Sequence, residues 1–290
     1  MASIEVNGVN LIYEAIGDGP SVVWTPSAWA GIDGDPGACA MCGRLSAKNR
    51  ALIYDRRNCG NADILIEDSP SEFYLWAKDL HAMLTTLNIT PAYVGGSSLG
   101  QCLAILFAHL YPHDVNGLLL RAQPHDDAER RTRIAEIRYL GLAKVASKSG
   151  MNAVIDFAKH YAIEFPFAAY PLSSEGNVER LLSMDADRFA SVMTKWGEWF
   201  STDRIFVARL SDEKVKAVAK PALILPGCDD MHPLYMSERL NSLLPDSELV
   251  DYADWFTPDE LTFFEEGSDF HKKAAISPIV YDFIQHVEAR

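Results

Sequence analysis

Short apolar runs alternate with amphipathic segments toward both ends of the chain. Asn7-Gly8 separates two alternating runs, and this dipeptide favours a two-residue β-hairpin turn. Near-continuous apolar strands are predicted beyond it, at residues 21–25, 51–54, 92–95 and 117–121, with helical patterns between them. One such helix is predicted to begin at residues 69–72, which have the composition of a capping box, and to run to about residue 87. Apolar strands of this kind are buried on both faces, so the pattern predicts an α/β fold with a mostly parallel sheet between helices.

The alternation stops at about residue 124 and resumes with an apolar strand at residues 220–226. Between these points the periodicity predicts helices over residues 128–147, 151–161, 178–182 and 188–200, and no strand. We therefore predict a core domain made of residues 1–124 and 215–290, interrupted by a helical cap at residues 125–214.

The predicted cap is rich in aromatic side chains. These either pack the cap onto the core or line an apolar substrate pocket. The candidates for the pocket, with two residues from the core, are Trp29, Trp196, Trp199, Phe200 and His232.

Composition and charge narrow the classes of function. Apolar residues make up 48% of the 290 residues, but no run approaches the roughly 18 needed to cross a bilayer. The net charge of −14 comes without a basic stripe, which argues against nucleic acid or anionic membranes as partners. A small-molecule substrate is the remaining expectation, and homo-oligomerisation stays open. The first residues lack a signal-peptide pattern, so we expect a cytoplasmic protein.

The five cysteines are scattered and odd in number, which predicts free thiols. Cys39 and Cys42 form a CxxC without a second ligand pair, so packing is the favoured interpretation. Cys228, Asp229, Asp230 and His232 resemble a metal-ligand cluster, but adjacent aspartates do not easily converge on one ion. We expect neither a metal nor another cofactor.

Chemistry is indicated most clearly by the pentapeptide Gly96-Ser97-Ser98-Leu99-Gly100, which lies between a predicted strand and an apolar helix. In this strand–turn–helix context a G-x-S-x-G sequence presents its central serine as a nucleophile. Glycine is needed on both sides because side chains there would collide with the neighbouring strand and helix. Ser98 is thus the predicted nucleophile, and the Leu99 N–H at the helix start is a predicted oxyanion donor. Ser97 is a less suitable alternative because the Leu-Gly pair does not follow it directly.

A serine hydroxyl needs a base and a carboxylate that orients the base. The loop after the strand at residues 220–226 contains Asp229 and Asp230, and either of them supplies the acid. Counting back from Pro233, where a helix is predicted to begin, favours Asp229. Three histidines follow the insertion, and His271 is favoured as base because it precedes the last helix, whereas His286 lies near that helix's end. His232 is the remaining candidate, as a substrate contact.

The second oxyanion donor is expected in the loop after the strand at residues 21–25. Either Ser27 or Ala28 supplies this N–H group.

Together, the serine turn, the acid loop, the late histidine and the insertion resemble the α/β-hydrolase superfamily along nearly the whole chain. Residues 54–60 are similar to a turn after the fourth strand in many members, and residues 91–120 are similar to their nucleophile region. The resemblance implies Ser98 as nucleophile, Asp229 or Asp230 as acid, His271 as base and the Leu99 amide as oxyanion donor.

The predicted activity is hydrolysis of an ester or lactone of a fairly large apolar or aromatic molecule through an acyl-enzyme. Hydrolysis of a carbon–carbon bond in a diketone uses the same three groups and is the first alternative. A non-catalytic small-molecule receptor on the same fold is the alternative from another class.

Overall fold

The structure is a computed structural model, which describes residues 1–202, 207–267 and 269–290; the side chains of residues 167, 263–266 and 269–271 lie outside the description. The strands are β1 (Ala2–Val6), β2 (Val9–Ile16), β3 (Ser21–Thr25), β4 (Arg50–Asp55), β5 (Ala92–Ser97), β6 (Val115–Arg121), β7 (Ala222–Leu225) and β8 (Ser247–Leu249). They form one sheet in the order β1-β2-β4-β3-β5-β6-β7-β8.

The sheet is antiparallel at one edge and parallel elsewhere. β1 pairs with β2 and β2 with β4 in antiparallel fashion, and every pair from β4-β3 to β7-β8 is parallel. The predicted hairpin turn is confirmed: Asn7 and Gly8 connect β1 to β2, with φ angles of 48° and 78°. Both angles are positive, as the favoured two-residue turn requires.

Helices cover both faces of the sheet, and each face has its own apolar core. The helices are α1 (Pro36–Leu45), α2 (Glu72–Thr86), α3 (Leu99–Leu110), α4 (Ala128–Ala135), α5 (Gly141–Glu164), α6 (Glu175–Leu182), α7 (Ala186–Ser201), α8 (Asp212–Lys216), α9 (Leu234–Leu243), α10 (Pro258–Glu266), α11 (Asp269–Ala275) and α12 (Ser277–Glu288). Neighbouring residues of β3 alternate between the cores: Val23 packs on the side of α2 and α3, and Trp24 on the side of α1 and α12. The predicted fold class is confirmed.

Between β6 and β7 the described residues form helices and no strand. A single π-helical turn, Glu136–Leu140, joins α4 to α5, and α5 is kinked at Gly150, where φ is 75°. The kink separates the two helices that the sequence predicts on either side of this glycine. The predicted cap boundary between residues 214 and 215 falls inside α8. No helix in the described part of the chain is long and apolar enough to span a membrane.

A buried carboxylate, Glu72, joins the segment after α4 to the sheet. Its Oε2 accepts hydrogen bonds from Trp29 Nε1 at 3.0 Å and from the Tyr139 hydroxyl at 2.8 Å. Its Oε1 accepts from Asn58 Nδ2 at 2.9 Å and from Arg138 Nη2 at 3.2 Å. The adjacent residues Arg138 and Tyr139 both reach Glu72 from the π-helical turn, so this irregular turn is fixed by ionic and neutral hydrogen bonds together.

Glu72 also explains why the predicted capping box is not formed. α2 begins at Glu72 itself, and the N-cap residue Ser71 makes no side-chain capping hydrogen bond. Ser69 instead donates its hydroxyl to the Ser71 carbonyl at 3.1 Å. The carboxylate expected to return to the helix N-terminus is taken by the tertiary network, which offers it four donors.

Candidate active site

Ser98 lies in a tight turn between β5 and α3. Its backbone has a conformation that residues other than glycine rarely adopt. Its φ and ψ angles are 54° and −119°. A Cβ atom on Gly96 would lie 2.5 Å from the carbonyl carbon of Gly100, and one on Gly100 would lie 2.5 Å from the Thr25 carbonyl oxygen. Only glycine fits at both positions, so the two glycines permit the strained turn that raises Ser98 above the sheet.

A histidine from another loop contacts the serine hydroxyl. His232 Nε2 lies 3.0 Å from Ser98 Oγ, and His232 Nδ1 lies 2.9 Å from Asp229 Oδ1. A carboxylate, an imidazole and a serine hydroxyl are thereby aligned in the order that activates a serine nucleophile. The imidazole is largely enclosed, with 12% of its side chain exposed.

Asp229 is fixed within its own loop. Its Oδ1 accepts backbone hydrogen bonds from Met231 at 2.8 Å and from His232 at 2.9 Å. Partial burial disfavours the carboxylate charge, but the His232 imidazole and these N–H groups outweigh burial and lower the pKa of Asp229. The group is therefore ionised at neutral pH, and the exposure of 57% of its side chain also favours the charged form.

The other predicted acid and bases lie in different environments. Asp230 is exposed to solvent, and His286 is exposed near the end of α12. His271 belongs to α11, and its side chain lies outside the described residues. The structure thus brings Asp229 and His232 to Ser98, while the position of the His271 imidazole is not described.

Sequence reasoning treated His232 as a substrate contact, although one signal for its position is present at Gly227. A Cβ atom on Gly227 would lie 2.3 Å from His232 Cβ, so the loop closes on itself at this point. The closure turns the His232 ring from β7 toward β5. A glycine two positions after a buried strand, and five residues before a histidine, is the pattern that could have indicated this arrangement.

The predicted oxyanion donors differ in whether their N–H groups already make a hydrogen bond. The Leu99 N–H opens α3, where helical N–H groups lack intrahelical partners. Ser27 N–H donates to Asp35 Oδ2 at 3.1 Å, so it is already engaged. Ala28 lines the cavity above Ser98 with φ at 44°, and no acceptor in the described part of the chain takes its N–H. Of the two residues proposed from sequence, Ala28 is the one with an available donor.

A buried ion pair lies beneath the Ala28 loop. Lys273 Nζ, from α11, lies 2.7 Å from both oxygens of Asp35 and 3.0 Å from Ser27 Oγ. Asp35 also accepts the Ala38 N–H at the start of α1. Both charged side chains are almost completely buried, at 1% and 4% exposure. These contacts fix the backbone on the N-terminal side of Ala28.

Ser98 opens into a cavity of about 450 Å³. Of the five candidates from sequence, Trp29, Phe200 and His232 line it. Trp196 instead donates its Nε1–H to the Ser69 carbonyl at 3.2 Å. Trp199 packs against Phe73 with ring centroids 5.4 Å apart. These two tryptophans therefore contribute to packing between α7 and the core.

A family model for the alpha/beta hydrolase fold matches residues 45–257. The chain belongs to this family. Solved structures of similar fold include an esterase from Thermogutta terrifontis, at 20% identity and a TM-score of 0.60, over 98% of this chain and 97% of that one. An enol-lactonase from Burkholderia xenovorans has 17% identity and a TM-score of 0.60, over 98% and 100% of the two chains. A meta-cleavage product hydrolase from Pseudomonas fluorescens has 19% identity and a TM-score of 0.55, over 92% and 98%. No curated protein sequence matches this α/β hydrolase.

Within this α/β hydrolase, the site lies where ligands of open α/β sheets are expected, beyond the carboxyl ends of the parallel strands. β3 leads to Ala28, β5 to Ser98 and β7 to His232. Among the residues that the structure describes, no group of His, Cys, Asp or Glu side chains is arranged to hold a metal ion.

Proposed function

We propose that this α/β hydrolase cleaves carboxylic esters or lactones with Ser98 as nucleophile, His232 as general base and Asp229 as the orienting acid. The observation that carries the proposal is the 3.0 Å separation between His232 Nε2 and Ser98 Oγ, with Asp229 on the other ring nitrogen. A base within hydrogen-bond distance of a serine hydroxyl is the geometric requirement for nucleophilic catalysis.

In the first half-reaction, Ser98 Oγ attacks the carbonyl carbon while its proton moves to His232 Nε2. The Nδ1–H group of His232 donates to Asp229, which stabilises the imidazolium. The negative oxygen of the tetrahedral intermediate accepts hydrogen bonds from Ala28 N–H and Leu99 N–H. The carbon–oxygen bond of the leaving group then breaks, and that oxygen takes the proton from His232.

In the second half-reaction, His232 removes a proton from water as the water oxygen attacks the acyl-enzyme carbonyl. The Ser98 oxygen leaves with the proton that His232 returns to it, and the carboxylic acid is released. In a lactone the leaving alcohol stays attached to the acyl chain, so the single product is a hydroxy acid.

The volume and the apolar lining of the cavity support a small-molecule substrate with an apolar body. A volume of about 450 Å³ lies within the range of pockets that enclose small molecules. Trp29, Leu99, Ile134, Ile137 and Phe200 contribute apolar walls. The esterase and the enol-lactonase with the same fold are named for ester and lactone chemistry, which agrees with this reaction class.

The experiment that tests the proposal combines labelling with hydrolysis. A fluorophosphonate probe is expected to label the native protein on Ser98, and Ser98→Ala is expected to lose both the label and hydrolysis of 4-nitrophenyl pentanoate. A native protein that is folded but neither labelled nor active would support a receptor on this fold. Activity toward diketones without ester or lactone hydrolysis would instead support carbon–carbon bond hydrolysis.

Replacing individual histidines with alanine tests the proposal that His232 is the general base. His232→Ala is expected to reduce kcat by at least about 10³-fold, as loss of a general base does. His286→Ala is the control and is expected to leave kcat unchanged. If His271→Ala removes activity and His232→Ala does not, the base predicted from the sequence is the correct one and this assignment fails.

A further inference from the structure

The cavity is lined by charged side chains as well as by apolar ones. Among the described residues, the Asp and Arg side chains that line the cavity above Ser98 all come from α4 or from the segment that leads into it. They are Asp126, Asp127, Arg130, Arg131 and Arg133. Three arginines face one cavity in a protein whose net charge is −14, so the local charge has the opposite sign to the whole molecule.

The two aspartates that line the cavity are engaged. Asp127 is the N-cap of α4, and its Oδ1 accepts the Arg130 backbone N–H at 2.9 Å. Asp126 forms an ion pair with Arg131, whose side chain is 10% exposed. One carboxylate thus satisfies the helix start and the other neutralises the most buried guanidinium.

Arg130 and Arg133 remain: the Asp127 carboxylate interacts with the Arg130 charge at longer range, and neither guanidinium forms a direct ion pair within the described ranges. They are three positions apart on α4, where side chains share one face of a helix. Like charges at this spacing destabilise a helix, and α4 has only eight residues. Glu129, four positions before Arg133, offsets part of this repulsion, and an anion between the two guanidinium groups would lower what remains.

Resting on the hydrolase function proposed above, we infer that the substrate carries a carboxylate, which Arg130 and Arg133 bind while the ester or lactone carbonyl lies at Ser98. Guanidinium groups bind carboxylates through paired, charge-assisted N–H donors. Ile134, Ile137 and Phe165 line the same cavity and contact the apolar part of the substrate. The substrate class is thus an acidic ester or lactone with an apolar body.

Arg133 has a second contact that the experiment must separate from anion binding. Its guanidinium carbon lies 5.1 Å from the centre of the Phe165 ring, within cation–π distance. A role in packing alone would affect all substrates equally. A role in binding a carboxylate affects only substrates that have one.

Two esters of equal acyl length make this separation. Mono-4-nitrophenyl glutarate ends in a carboxylate, and 4-nitrophenyl pentanoate ends in a methyl group. The native enzyme is expected to have a kcat/KM about tenfold higher for the glutarate, the ratio expected for a charge-assisted hydrogen bond. The preference is expected to shrink as salt is raised from about 0.05 M to about 0.5 M, because Arg130 and Arg133 are exposed to solvent.

Variants identify the residues responsible. Arg130→Gln and Arg133→Gln are each expected to lower kcat/KM for the glutarate several-fold more than for the pentanoate, and together to abolish the preference for the glutarate. Arg188→Gln is the matched control, because Arg188 is an exposed arginine of α7 that does not line the cavity. This variant is expected to leave the preference intact.

The possible failures are distinguishable. If neither ester is hydrolysed and no fluorophosphonate label forms, the hydrolase function fails and the inference fails with it. If both esters are hydrolysed with equal kcat/KM, or if the arginine variants lower both values in parallel, the hydrolase function stands and the carboxylate inference is overturned.

Discussion

His232 Nε2 lies 3.0 Å from Ser98 Oγ, although 134 positions separate the two residues in the chain. The contact joins the loops that follow β5 and β7. Because the carboxylate that contacts His232 is that of Asp229, three positions earlier, a single loop supplies both groups that we propose to activate the serine. Substitution of each of the two adjacent aspartates in this loop therefore tests the proposed mechanism directly.

Asp229→Asn is expected to reduce kcat/KM by about 10³- to 10⁴-fold, because the amide neither stabilises the imidazolium nor favours the required tautomer. Asp230→Asn is the matched control, since it makes the same change at the next, exposed position. Its kcat/KM is expected to stay within twofold of native. Steady-state hydrolysis of 4-nitrophenyl pentanoate measures both, and equal losses in the two variants would contradict the assignment.

The interaction between Asp229 and His232 also predicts how activity depends on pH, in the native enzyme and in Asp229→Asn. His232 lowers the pKa of Asp229, so the ionised carboxylate equally favours the protonated imidazole. Hydrolysis needs the neutral imidazole, and kcat/KM therefore falls on the acidic side. In Asp229→Asn the imidazolium loses this stabilisation, so the acidic fall is expected at lower pH than in the native enzyme. A rate profile that is unchanged, or displaced to higher pH, would speak against the pairing.

The serine turn predicts a contrast between two glycine substitutions. In Gly100→Ala the added Cβ would lie 2.5 Å from the backbone oxygen of Thr25, so the turn must shift. We expect the free energy of unfolding to fall by about 3 kcal/mol, at the upper end for overpacking, and activity to be lost. Gly43→Ala, in α1, meets nothing within 4 Å and is expected to stabilise the protein by up to about 1 kcal/mol. Urea unfolding of both variants checks the prediction, and similar losses would refute the steric explanation.

Removal of the buried carboxylate at position 72 is expected to destabilise the protein. Glu72→Gln leaves the fully buried Arg138 without its charged partner and replaces one acceptor oxygen with a donor. The expected loss in the free energy of unfolding is about 3 kcal/mol or more. Glu179→Gln, an exposed change in α6, is the control and is expected to have an effect within about 0.5 kcal/mol. A small effect at Glu72 would mean that the network tolerates a neutral amide.

The ion pair beneath the Ala28 loop is expected to affect stability and catalysis together. Lys273→Met leaves Asp35 buried without its cation, which is expected to cost about 3 to 5 kcal/mol in unfolding free energy. Combining it with Asp35→Asn removes the unpaired charge and keeps one acceptor oxygen, although Ser27 N–H and Ala38 N–H bind different oxygens of Asp35 and only one of them retains an acceptor. The double variant is expected to recover part of the stability but to retain a lowered kcat, because the oxyanion loop is held less firmly. Full recovery of kcat in the double variant would show that the pair does not position Ala28.

Local sequence patterns determined the fold class and the candidate nucleophile. The Asn7-Gly8 turn follows from its dipeptide, the buried strands follow from short apolar runs, and the helical segment between β6 and β7 follows from a periodicity of 3.6 residues. Neighbouring residues alone create all three patterns. The strained turn at Ser98 is equally local, because Gly96 and Gly100 are needed wherever a strand and a helix approach so closely.

Tertiary structure decided the contacts between distant segments. Glu72 has the sequence position of a capping residue, yet it binds Trp29 and Tyr139, because a buried carboxylate satisfies more donors there than at a helix end. The placement of His232 beside Ser98 depends on how the loop after β7 closes over Gly227. Hydrophobic patterning reports which face of an element is buried, but it carries no information on where a polar side chain at a loop finds its partner. The sequence by itself therefore determined the α/β architecture and the choice of Ser98 as candidate nucleophile. The packing of the loops after β3, β5 and β7 decided which residues lie next to the serine.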